Sequence, residues 1–114
     1  MSRDGLKIEA EQLRRLGITE RQLMNFIKKW KITELSLFGS VLRDDFGPKS
    51  DVDVMVSWTE DAHWTLFDMG HMRDELVAVF GREVDLLTRR AVERSRNPYR
   101  RESILSESRV IYVS

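Results

Sequence analysis

Short apolar, β-branched runs alternate along this chain with segments patterned for helices, and that alternation dictates an α/β domain. Leu35-Ser36-Leu37-Phe38 reads as a buried strand that stops at Gly39. Val52-Asp53-Val54-Met55-Val56 alternates at period two and reads as a second strand. Glu83 to Leu87 supplies a third, and Val110-Ile111-Tyr112-Val113 a short final one. The link from Phe38 to Val52 is close to the shortest that a parallel crossover allows. The expected architecture is therefore a small mixed sheet flanked by helices. With 114 residues, the chain suits one domain spanning 1–114.

Helix signals fill the intervals. Thr19-Glu20-Arg21-Gln22 has the form of a capping box, and Leu23, Phe26, Ile27 and Trp30 follow at helical spacing. Ser40 is expected to cap a short helix through about Asp45, with Arg43 in its first turn. Phe46-Gly47-Pro48-Lys49-Ser50 is turn material. Thr65 opens a longer helix, with Asp68 at the capping position and Leu66, Met69, Met72, Leu76 and Phe80 as its apolar stripe, and Gly81 ends it. A last helical stretch starts at Ala91 and runs to about Arg96, where Pro98 must interrupt or restart it.

Three carboxylates stand out against this frame. Side chains at i and i+2 on a strand share a face ~6.6 Å apart, so Asp51 and Asp53 point one way and Val52, Val54 and Val56 the other. Aspartate is poorly suited to a strand, and two of them beside a valine face break a local rule. Asp85 occupies the matching place in the next strand. Two unit charges ~4 Å apart repel by ~4 kcal/mol at an effective dielectric of 20, so converging carboxylates take up protons or bind cations. Magnesium, a hard ion that accompanies nucleoside triphosphates, suits them. Gly39-Ser40, at the end of an apolar run, lets the backbone approach a phosphate. The competing interpretation is an amphipathic strand whose aspartates face water.

Composition narrows the field. Formal net charge is +0, so the whole chain is not a polyanion binder. No window approaches the ~20 apolar residues of a membrane span, and the N-terminal residues lack the apolar stretch of a secretory signal. Absence of cysteine excludes disulfides and thiolate zinc sites. A cytoplasmic location is the simplest expectation.

Gly39-Ser40, ten intervening residues and then Asp51-Val52-Asp53 resemble the signature of the polymerase-β-like nucleotidyltransferase superfamily. Leu37 to Arg43, Ser50 to Val56 and Val84-Asp85-Leu86-Leu87 resemble its minimal nucleotidyltransferase branch, and the likeness extends from about Ile18 to Val113. The resemblance implies a nucleotidyltransferase fold and activity. Small members of this branch act as antitoxins beside a HEPN-domain ribonuclease toxin encoded by an adjacent gene, transferring AMP from ATP to a toxin tyrosine. By position, it implies that Asp51, Asp53 and Asp85 hold two magnesium ions, and that Asp85 also helps activate the attacking hydroxyl. Gly39 and Ser40 would meet the β- and γ-phosphates, and Arg43 would steady the triphosphate. Asp44 and Asp45 depart from the pattern, because many relatives carry a small residue after this arginine.

Other features have plain explanations beside sharper ones. Arg89, Arg90, Arg94, Arg96, Arg100 and Arg101 crowd a segment in which Glu93 is the only acid, the pattern of a solvated face or of a basic patch. No aromatic-rich platform accompanies it, which disfavours direct nucleic-acid binding. His63 and His71 have no carboxylate at metal-helix spacing. Trp30, Trp58 and Trp64 suit core or interface anchoring, and Tyr99 and Tyr112 suit packing better than nucleotide acceptance. Two further functions compete with the antitoxin transferase. One is nucleotidyl transfer to a small molecule, which generally needs an added domain. The other is a binding module that blocks its toxin by occlusion.

Overall fold

A computed structural model describes residues 5–8, 10–43, 46–47 and 49–114. In chain order it contains β1 (Gly5–Leu6), α1 (Ala10–Leu16), α2 (Glu20–Lys29), β2 (Ile32–Phe38), a 3-10 turn (Gly39–Leu42) and β3 (Val52–Trp58). There follow α3 (Leu66–Phe80), β4 (Val84–Thr88), α4 (Arg89–Glu93), α5 (Pro98–Glu107) and β5 (Arg109–Val113). The strands form one five-stranded sheet in the order β1-β5-β2-β3-β4. Only β3 and β4 run parallel, and the three other pairings are antiparallel. This is the mixed sheet expected from the short link between β2 and β3.

Both capping boxes form. The Thr19 side chain accepts from the Gln22 amide at 3.1 Å, and Gln22 Oε1 accepts from the Thr19 amide at 2.9 Å. Thr65 and Asp68 repeat the exchange at the start of α3, and Gly81 ends it in the left-handed conformation. Pro98 restarts the chain as the first residue of α5, where its missing amide costs nothing, and Asn97 caps that helix. The 3-10 turn differs from expectation: no side chain caps it, Ser40 lies inside it, and Arg43 closes it instead of opening it. Positive φ at Gly39 bends the chain straight out of β2, so the turn needs no side-chain cap.

Two apolar layers sandwich the sheet. The larger packs Leu35, Leu37, Val52, Val54, Val56, Val84 and Ile111 beneath α1, α2 and α3 through Leu16, Leu23, Ile27, Met72 and Leu76. The smaller joins Phe38 and Met55 of the opposite face to Val92 of α4 and Ile104 of α5. Met55, which shares the aspartate face, is 1% exposed. The aspartate face, which the competing interpretation leaves open to water, is thus half roofed by α4 and α5. Leu66 departs from the expected stripe of α3 and is 89% exposed, because it starts the helix ahead of the turn that reaches the sheet. Trp30 and Trp64 meet edge to face at 5.1 Å, and their indole N–H groups reach Glu75 Oε2 and the Trp30 carbonyl. These tryptophans are anchors. Neither β1 nor α1 was expected. A two-residue strand exists only by pairing with β5, which no local pattern encodes.

Candidate active site

The sheet register builds the site. Asp53 and Asp85 are direct partners across the parallel β3–β4 pair, and Phe38 pairs with Asp53 from the other side. Adjacent strands lie ~4.8 Å apart, so two carboxylates project side by side from one face. Asp51 is exposed and lies one residue ahead of β3. The Asp53 carboxyl is held above its ordinary pKa, first by burial and then by the charges of Asp85 and Asp51, while Arg43 acts in the opposite sense. All four residues therefore share one electrostatic neighbourhood.

Gly39 completes it. With φ of 77°, it occupies a conformation that side chains rarely tolerate. A Cβ here would collide with Asp53 Oδ2 and lie 3.1 Å from Asp53 Cγ. Beside it, a groove of about 680 Å³ is lined by Gly39, Leu42 and Arg43 on one wall and by Glu107, Ser108, Arg109 and Val110 on the other. That volume falls within the range of small-molecule sites. Gly39 and Arg43 thus line the groove, whereas Asp51, Asp53 and Asp85 stand beside it and Ser40 is half-buried in the turn. The segment Glu107 to Val110 was not expected here, since only the return of α5 into β5 brings it to β2.

The carboxylates have the chemistry for a hard divalent cation: oxygen donors only, on a charge cluster that penalises ionisation of its central member. Among the described residues, no three such groups are already gathered at ligand spacing. Asp53 and Asp85 are fixed by the ladder, while Asp51, outside it, must supply the adjustment. His63 and His71 are exposed and belong to no such group. Asp44 and Asp45 lie outside the described residues.

Asp51 is reached through a segment held by two arginines that sequence alone did not single out. Phe46 lies against the guanidinium of Arg82 at 4.4 Å and that of Arg15 at 5.3 Å. Arg82 Nη1 also donates to the Gly47 carbonyl at 2.9 Å and the Ser50 carbonyl at 3.3 Å. Arg15 Nη2 donates to the Arg43 carbonyl at 2.6 Å. Arg82 sits at the turn between α3 and β4, so one side chain couples the strand carrying Asp85 to the approach to Asp51. Replacing Arg82 with alanine is expected to lower kcat/KM for transfer by about tenfold, by loosening Asp51 relative to Asp53. Steady-state kinetics check this, and activity within twofold of wild type would dismiss the positioning role.

Comparisons with known proteins agree with the geometry. Residues 20–111 match the nucleotidyltransferase domain family. A candidate protein adenylyltransferase of Methanocaldococcus jannaschii is 33% identical over 85 residues, which are 75% of this chain and 80% of the relative. The solved structure of a candidate minimal nucleotidyltransferase superposes with a TM-score of 0.61 at 26% identity, over 90% of this chain and 96% of that one. A crystal structure of a toxin–antitoxin with AMP-PNP shares the fold, with a TM-score of 0.65 at 16% identity over 85% of this chain and 75% of the other. Sheet register, glycine turn and sequence kinship converge, and the chain belongs to the nucleotidyltransferase domain family.

Proposed function

We propose that this protein transfers AMP from magnesium-ATP to a tyrosine hydroxyl of a partner HEPN ribonuclease toxin and thereby neutralises it. The in-register pairing of Asp53 with Asp85, with the Gly39 backbone against Asp53, carries the reading. Supporting it are a relative described as a candidate protein adenylyltransferase and the shared fold of a toxin–antitoxin with AMP-PNP. Among the described residues, no helix is long and apolar enough to cross a membrane.

Each residue has a distinct task. Asp51, Asp53 and Asp85 would hold magnesium, which, when bound, neutralises the triphosphate and favours the ionised acceptor hydroxyl. The backbone at Gly39 and the hydroxyl of Ser40 meet the β- and γ-phosphates, and Arg43 offsets their charge. The tyrosine oxygen attacks the α-phosphorus in line, the bond from that phosphorus to the bridging oxygen breaks, and pyrophosphate leaves. The hydroxyl proton passes to an Asp85 carboxylate oxygen. Catalysis then consists of positioning and charge stabilisation.

The test combines the protein with the product of its adjacent gene, magnesium and ATP, followed by peptide mass spectrometry of that product. Mass added as AMP on a tyrosine, with loss of ribonuclease activity, is the expected result. Neutralisation without any added mass would replace transfer by occlusion, and AMP on a small molecule would replace the protein acceptor.

A further inference from the structure

The roof over the aspartate face has an unusual composition. α4 and α5 enclose a cleft of about 170 Å³ with a largely apolar lining that includes Leu87, Ala91, Val92 and Ile104. Arg100 and Arg101 stand at its rim, and Arg101 is fixed there by a 2.9 Å hydrogen bond from Nη1 to the Ser95 carbonyl. Arg94 and Arg96, on either side of the cleft-lining Ser95, and Arg100 are exposed and form no ion pair among the described residues. Glu93 does not neutralise them, because its carboxylate is taken by Arg89 at 3.2 Å. Tyr99 is 86% exposed between Arg96 and Arg100.

Crowding uncompensated cations on the end of α4, the link after it and the start of α5 costs stability through mutual repulsion, although the chain as a whole is neutral. The position of the patch explains that cost. Leu87 lies two residues beyond Asp85 on β4, so it shares the face of Asp85 at ~6.6 Å along the strand. A segment seated in the cleft would therefore run beside the carboxylates. We infer that the α4–α5 face docks an acidic segment of the acceptor protein, with one apolar side chain in the cleft and its carboxylates on Arg94, Arg96 and Arg100. This rests on transfer to a protein acceptor. Charge complementarity sets the polarity of the partner, the small apolar cleft sets its anchor, and Tyr99, the single aromatic of residues 89–107, gives bases no stacking platform.

The test does not depend on catalysis. A fluorescein-labelled peptide of one leucine flanked by glutamates is titrated into the full chain by anisotropy, beside the same peptide with serine for leucine and an oligouridine. The leucine peptide is expected to bind, to weaken as salt rises, and to exceed the serine peptide by about tenfold. Binding should fall by about tenfold or more in Arg94→Glu/Arg96→Glu/Arg100→Glu. If the reversed variant fails to fold by circular dichroism, the neutral Arg94→Gln/Arg96→Gln/Arg100→Gln variant supplies the comparison, with a smaller loss in the same direction. Equal binding by wild type and the folded arginine variant, or no peptide binding, overturns the inference. Tighter binding of oligouridine than of the peptide overturns it in favour of RNA. Peptide binding in a protein that transfers nothing would uphold the surface and refute the transfer reading alone.

Discussion

Asp53→Asn is expected to abolish nucleotide transfer, by on the order of 10³-fold or more, while the fold remains intact and becomes more heat-resistant without magnesium. The two effects have one cause. Burial and the charges of Asp85 and Asp51 raise the pKa of Asp53 above its ordinary value, so the folded state disfavours the ionised carboxylate. A group with a raised folded pKa imposes no such penalty below its unfolded pKa, and the full penalty once pH exceeds its folded pKa. Asparagine removes the charge, so the variant's thermal midpoint should exceed that of wild type at neutral pH. The gap should close as pH falls through the raised pKa towards the ordinary carboxylate range. Added magnesium should then raise the wild-type midpoint and leave the variant unmoved. Full activity in a folded variant, or a lower midpoint at neutral pH, would remove Asp53 from the centre of the site.

Two glycines allow backbone strain to be separated from damage at the site. Gly39 and Gly81 both have positive φ, 77° and 69°. A Cβ at Gly81 meets nothing within 4 Å, whereas one at Gly39 strikes the Asp53 carboxylate. Alanine at either position is expected to cost roughly 1–2 kcal/mol for the left-handed conformation. Only Gly39→Ala should also lose transfer, by about 100-fold or more, since Asp53 must swing out of register with Asp85. Denaturant melts and transfer rates measured on both variants check this. Equal activity in the two would show that Gly39 serves the turn and not the carboxylate.

The contrast between Gly39 and Gly81 also marks how far sequence reasoning reaches here. Features encoded within a few residues were legible: the boxes at Thr19 and Thr65, the stop at Gly81, the restart at Pro98, and the period-two strand bearing Asp53. The mixed sheet was legible as well, because the length of one link constrained it. Features that depend on distant pairing were not. Alternation placed Met55 on the aspartate face but could not reveal that Val92 and Ile104 cover it. The Phe46 clamp draws on Arg15 and Arg82, which lie 67 residues apart in numbering and have no shared motif. Ser40 does not cap the turn as its place after a Gly-Ser pair suggests, because positive φ at Gly39 makes a tight turn on its own.

The carboxylates beside Gly39 are proposed to form a cation-dependent nucleotide site, and calorimetric titration with a non-hydrolysable ATP analogue distinguishes such a site from a plain acidic face. Wild type with magnesium should bind the analogue, and binding should vanish on chelation and in Asp51→Asn/Asp53→Asn. Equal heats from the wild type and a folded double variant, or binding indifferent to chelation, would contradict it.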